Sequence, residues 1–256
     1  MKLRTFPVYR LPDGRAMVNL GSSARTAAGW TNIDSSLILR LGRHRRLTRI
    51  LRRIGFLNQD RYSRIQRLDG GCVVWNLAKG IPYPDKTFDV VYHSHLLEHI
   101  DRERAPEFLE DCFRVLKPGG TIRIVVPDLE QLARDYVRAL DSKDPTADPR
   151  YDDSLEQMFD QMVPRTPRSR REEPLVVRVL ENVMVGDTAR CGTLHRWMYD
   201  RFSLDRLLQR AGFGDVAVVD HRTSRISGWD SFHLDVEPDG TPHKPGSLYV
   251  EATCLK

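Results

Sequence analysis

The 256-residue chain predicts an α/β fold built on a mostly parallel sheet with helices on both faces. Three observations carry this expectation. Short apolar runs rich in β-branched residues alternate with segments whose apolar residues recur at helical spacing. One such run, Phe88-Asp89-Val90-Val91-Tyr92, stops abruptly at His93, Ser94, His95, Glu98 and His99. A polar cluster directly after a buried strand suits the carboxyl edge of a parallel sheet, where such folds bind ligands.

The elements are taken in chain order. After a turn signal at Pro12-Asp13-Gly14, Met17-Val18-Asn19-Leu20 reads as a strand running into Gly21, and Trp30 to Asp34 as a second, ending in an acid. In residues 35–57, Ile38, Leu41, Leu47, Ile50, Leu51, Ile54 and Leu57 recur at helical spacing with arginines between them. This is an amphipathic helix with either a solvated arginine face or, over 38–57, a peripheral contact with anionic lipid. Val73 to Leu77 is the third strand, and Phe88 onward the fourth. Residues 102–116 form a helix, with Asp101 placed to cap it and Lys117-Pro118-Gly119-Gly120 to stop it. Thr121 to Val126 is the fifth strand, and residues 129–140 return to helix. Residues 141–174 are polar and broken by prolines, and 175–185 suit a short helix. The chain thus reads as one domain, 1–256, with a helical or irregular insertion at 129–194, or a cap over the candidate site. A helix at 203–211, capped by Ser203 and ended by Gly212, precedes closing strands at 216–220 and 248–253.

Composition narrows the setting. The four cysteines lie far apart and form no C-x-x-C pair, which points to a reducing compartment, here the cytoplasm. Met1 to Pro7 has no apolar stretch of the secretory kind, and no apolar run approaches the roughly 20 residues of a membrane helix. The formal net charge of +5 favours anionic partners without choosing among them.

Several motifs in this order resemble the class I methyltransferases that use S-adenosylmethionine, and specifically a divergent type 11-like subgroup. Val18-Asn19-Leu20-Gly21-Ser22-Ser23 looks like the first-strand glycine loop, and Asp34 like the acid ending the second strand. Trp75-Asn76-Leu77 resembles the segment beside the adenine. Leu116-Lys117-Pro118-Gly119-Gly120 is the most recognisable piece. The resemblance spans about 17–126 and 195–254 and implies a Rossmann-like fold with a seven-stranded sheet. It implies cofactor contacts from Leu20, Gly21, Ser22, Ser23, Asp34, Asn76 and Leu77, with His93 and Ser94 at the end of the fourth strand. The chain departs from the pattern in three places. Ser23 stands where a glycine is common, Asn76 replaces a frequent aspartate, and only 13 residues run from Gly21 to Asp34.

His95, Glu98 and His99 fall at i, i+3 and i+4, positions that share a helix face. The same H-x-x-E-H string marks one metallopeptidase class, but on a different fold. A group of metal-dependent O-methyltransferases is similar here, with an acid at the position of His95, and that similarity adds His195 as a fourth ligand. Imidazoles with one carboxylate suit zinc, manganese or iron. Without a metal, His95 is the candidate general base for an acceptor hydroxyl, with Glu98 and His99 beside it. Purely structural roles stay open for all three.

Three functions remain in play. The first is O-methylation of a sugar, glycan or other small metabolite. The second is a non-catalytic adapter that keeps the fold without the cofactor, suggested by Ser23 and the short first crossover. The third is nucleic-acid methylation, suggested by arginines at 40–53 and 165–171 but opposed by the lack of interleaved aromatic residues. The sequence leaves the oligomeric state undetermined.

Overall fold

The computed structural model describes residues 6–23, 25–35, 45–53, 62, 72–141, 149–162 and 195–255. Within them, the strands are β1 (Met17–Leu20), β2 (Thr31–Asp34), β3 (Cys72–Val74), β4 (Phe88–Ser94), β5 (Leu116–Pro127), β6 (Phe213–Val219) and β7 (Ser247–Cys254). They form a seven-stranded sheet in the order β3-β2-β1-β4-β5-β7-β6. The first five are parallel, and β7 runs antiparallel to both β5 and β6. The described helices are α1 (Arg45–Arg53), α2 (Ala105–Val115), α3 (Leu129–Leu140), α4 (Pro149–Met162) and α5 (Arg201–Arg210).

The apolar runs account for the sheet. Val18, Leu20, Ile33, Val91, Ile122 and Ile124 are fully buried, with Phe108, Leu109 and Cys112 of α2 packed against them. Met17, Val90, Tyr92 and Val125 point to the other face, against Trp30 and Trp229. The period-2 alternation of strands serves two cores, as a sheet covered on both sides requires.

The second core carries a buried ion network. Arg123 of β5 has no exposed surface; its guanidinium meets Asp235 at 2.8 Å and Glu251 of β7 at 2.7 Å. It also donates to the carbonyls of Thr223 and Asp220 and lies 4.5 Å over the Trp229 ring. The Tyr92 hydroxyl donates to the same Asp235 at 2.6 Å. One side chain thus pins the segment between β6 and β7 onto the sheet.

Several boundaries differ from the sequence expectation. Strand β3 ends at Val74, because Leu77–Lys79 is a 3-10 turn capped by the Asn76 side chain. Asp101 does not cap α2 through its side chain, which instead takes Arg196 at 2.8 Å. The helix expected to start at Ser203 starts two residues earlier. Asp200 is its N-cap, and Ser203 closes the capping box from inside. Within the insertion, the described residues hold a second helix, α4, packed on α3, whose limits the sequence reading did not give. The candidate helix at 175–185, the arginines at 165–171, Cys191, and 36–44 and 54–57 of the basic segment lie outside the described residues. No described helix is long and apolar enough to cross a membrane.

Candidate active site

The strand order reverses direction between β1 and β4, so connections leave to opposite sides and open a crevice at the carboxyl ends. Gly21 lies at that point. Its φ of +68° is the left-handed region, and an added Cβ would lie 3.1 Å from Leu96 Cδ1. Both demands are met by glycine. The N–H groups of Gly21 and Ser22 donate to the Ile33 carbonyl at 2.8 and 3.1 Å, which folds the chain directly back toward β2. The short crossover is therefore a run of turns, with no helix among its described residues.

Ser23 takes φ +47°, the left-handed conformation that a glycine would hold more easily, and its N–H donates to Asp34 Oδ2 at 2.7 Å. The glycine-loop backbone and the acid ending β2 thus form one unit. Leu20 is fully buried and offers only its backbone, and the buried Ser22 hydroxyl faces Cys72 Sγ at 3.6 Å. Asn76 is exposed, and its side-chain oxygen accepts from Ala78 N–H at 3.0 Å. Leu77 packs partly buried against the core. The Trp75 N–H donates to the Asp34 carbonyl, which sets this segment beside the β2 end.

At the end of β4 the polar cluster divides. His93 is fully buried against the Phe108 ring, at 5.5 Å between centroids. Burial lowers its pKa to about 4, against an opposing pull from Glu98, so the ring is neutral near pH 7. Ser94 is half-buried beside the Tyr92 hydroxyl. His95 then takes φ +49°, which breaks any helix before it begins. The single-face convergence of His95, Glu98 and His99 expected from their spacing does not form.

Instead Glu98 becomes a hub. It is fully buried in the 3-10 turn Leu97–His99. His95 Nδ1 lies 3.2 Å from Glu98 Oε1 on one side, and His195 Nε2 lies 4.0 Å from the same oxygen. Ligand atoms of Glu98, His99 and His195 all fall within 4.8 Å of one another, and the two rings are 4.9 Å apart. His95 lies outside this trio. His195 is held there because the Glu98 carbonyl accepts the N–H groups of Arg196 and Trp197.

Burial pushes the Glu98 carboxyl up, but its contacts with His95 and the charge of His99 outweigh this and hold it below its ordinary value. The His95 contact is close rather than aligned: neither Glu98 oxygen has a full hydrogen bond among the described residues. Both nitrogens of His93 and the Tyr199 hydroxyl are likewise buried without a partner. Burial and the Glu98 charge push that phenol up to about 12. Unpaired polar atoms on three neighbouring residues mark a place built to hold water, an ion or substrate.

Sequence reasoning missed Ser247. Its hydroxyl lies 2.9 Å from His95 Nε2, across 152 positions of chain. No local signal marks it; it arrives because antiparallel β7 begins at the edge where the parallel strands end. Trp197 is partly exposed under the Arg102 guanidinium, 4.1 Å from the ring centroid. His243, in the segment between β6 and β7, contacts both Glu237 and Arg25.

Residues 59–124 match the family model of a methyltransferase domain. A probable S-adenosylmethionine-dependent methyltransferase of Mycolicibacterium smegmatis is 37% identical over 68 residues, covering 27% of this chain and 23% of that one. The ubiquinone/menaquinone biosynthesis C-methyltransferase UbiE of Salmonella arizonae is 31% identical over 109 residues, 41% of this chain and 36% of that one. The chain thus spans about a quarter to a third of the length of these relatives. Among solved structures, a putative methyltransferase bound to the Trm112 activator of Haloferax volcanii superposes with a TM-score of 0.46 at 14% identity, covering 99% of this chain and 87% of that one.

Proposed function

We propose that this chain, like the class I S-adenosylmethionine-dependent methyltransferases it resembles, binds that cofactor at the β1–β4 crevice and methylates an oxygen of a sugar, glycan or other small metabolite. The observation that carries this reading is the unit formed by Gly21, Ser23 and Asp34 at the strand-order reversal. A left-handed bend lays the loop backbone along the crevice, and a carboxylate, steadied by the Ser23 N–H, ends the next strand where ribose hydroxyls are read in related folds. The residues present therefore suit the cofactor's polar parts, and Leu77 offers an apolar contact for its base. When bound, S-adenosylmethionine supplies an already activated sulfonium methyl group.

The chain's own part is alignment, water exclusion and removal of one proton. Leu96 and the Gly21 bend close the crevice floor, and His95 is the acid–base group at the acceptor side. Glu98 lies 3.2 Å from His95 Nδ1 and sets the direction of the ring. His93 and Ser94 shape the wall at the end of β4.

One observation favours a second role for the same cluster. The unsatisfied buried carboxylate of Glu98, with His99 and His195 nearby, is a donor set for a divalent cation of the zinc, manganese or iron type. Such an ion would polarise an acceptor hydroxyl.

Isothermal titration with S-adenosylmethionine tests the main reading. Binding tighter than about 1 mM, lost in Asp34→Ala protein that still folds, is the expected result. No binding to well-folded wild-type protein would leave the adapter reading in its place.

A further inference from the structure

The bend at Gly21 to Ser23 has no helix behind it among the described residues, so its support comes from elsewhere in the fold. We propose that Arg25 is a positioning residue for that bend: clasped by the 233–243 segment, it holds Gly21, Ser22 and Ser23 in the conformation that presents Asp34 to the cofactor. This rests on the methyl-transfer reading for its purpose, though not for its geometry.

Gly21 and Ser23 both take positive φ, +68° and +47°. For Ser23 that conformation is unfavourable by itself, so its surroundings have to impose it. The Arg25 backbone ties the turn on two sides. Its N–H donates to the Ser22 carbonyl at 2.8 Å, and its carbonyl accepts from Nδ2 of the buried Asn19 in β1 at 2.9 Å. Where Arg25 is placed, the bend follows. The Ser23 N–H extends the same hold to Asp34 Oδ2 at 2.7 Å.

The side chain fixes the place of Arg25. Its Nε donates to the carbonyls of His233 and Leu234 at 3.0 and 3.1 Å, and Nη2 to that of Val236. Nη1 donates to Glu237 Oε1 at 3.0 Å and lies 2.9 Å from His243 Nδ1. A guanidinium spreads its donors along a rigid planar fork, which suits a row of carbonyls beside a carboxylate. A lysine ammonium gathers its donors on one atom.

The segment that clasps Arg25 is itself anchored. Leu234 and Val236 are buried, and Asp235 between them meets Arg123 of β5 at 2.8 Å. The Glu237 N–H donates to the Thr241 carbonyl at 2.8 Å and the His243 N–H to the Asp235 carbonyl at 2.7 Å, which closes this loop on itself. The bend is thus tied to the sheet twice, directly through β1 and again from β5 through Asp235, the segment backbone and the Arg25 guanidinium. A loop fixed before its ligand arrives loses less freedom on binding, and that difference appears as affinity.

Amide hydrogen exchange of the full chain, read by NMR without ligand, tests the arrangement. The N–H groups of Gly21, Ser22 and Ser23 are all bonded, so they should be protected in wild-type protein. In Arg25→Gln they should exchange about tenfold faster, while Val18 to Leu20 of β1 and the middle of α5 keep their wild-type rates. Arg25→Lys, which keeps the charge without the fork, should show the same pattern, and it carries the test alone if the glutamine variant does not fold. Faster exchange confined to 233–243, or spread equally over β1 and α5, would overturn the proposal. Calorimetry with S-adenosylmethionine should show binding about tenfold weaker in either variant, and affinity equal to wild type would overturn the positioning role. No binding to wild-type protein would remove the methyl-transfer reading, while the exchange pattern would still decide whether Arg25 holds the bend.

Discussion

Replacing Arg123 by Met should destabilise the protein by about 3–5 kcal/mol, the usual cost of leaving a buried ion pair without one partner. The structure makes the cost concrete. Asp235 and Glu251 are both buried, and each meets the guanidinium within 2.8 Å. Without it, two carboxylates face each other's field in a core lined by Trp229 and Tyr249. Against a typical total stability of 5–15 kcal/mol, such a loss takes a large share, and at 3 kcal/mol it shifts the folding equilibrium about a hundredfold. Urea unfolding followed by tryptophan fluorescence is the natural assay, because Trp229 lies under the guanidinium. Burial already pushes the Asp235 carboxyl up, with Arg123 pulling it back down. Without the arginine it rises further. A raised carboxyl stabilises the fold below its folded pKa and loses that as pH rises, so the deficit should be smaller at pH 5 than at pH 8. Replacing Arg123, Asp235 and Glu251 together by apolar residues should recover much of the loss. A loss below about 1 kcal/mol in the single variant would refute the claim that this network fastens the 220–246 segment.

The site and its supports give further outcomes. His93, with a folded pKa of about 4 against an ordinary 6.5, should make stability fall as pH drops from about 6.5 to 4, by up to about 3 kcal/mol. The unfolded chain binds that proton more readily, and His93→Phe should flatten the slope in denaturation at stepped pH. Gly21→Ala should cost about 1–2 kcal/mol for the left-handed bend, and more if Leu96 cannot give way. Calorimetry should show weaker S-adenosylmethionine binding in the same variant. Asp200→Ala removes two accepted N–H bonds at the start of α5 and should lower stability by about 1 kcal/mol in urea titration. If a divalent cation occupies the Glu98 cluster, metal analysis of purified protein should find one equivalent, lost in His99→Ala with His195→Ala.

Much of the fold was legible because strand and helix periods are local. Val18 to Leu20, Phe88 to Tyr92 and the Lys117-Pro118-Gly119-Gly120 stop announce themselves within a few residues. The glycine bend and the acid at Asp34 were legible for the same reason. Boundaries failed where a side chain chose a distant partner over a near one. Asp101 was drawn from its cap by Arg196, and Asn76 ended β3 early by capping the turn after it. The limits of α4 within the polar insertion were not legible, because its place is set by packing on α3.

The sequence by itself determined the class of fold, the edge at which the polar cluster gathers and the residue types found there, since these depend on periodicity and on the residues that terminate each strand. Only the tertiary structure decided how those residues pair. A positive φ at His95 separated it from His99, the Glu98 carbonyl drew in His195, and the reversed direction of β7 delivered Ser247. Each is a contact between segments far apart in the chain, set by backbone direction and by the cost of burying an unpaired polar group, which no local pattern encodes.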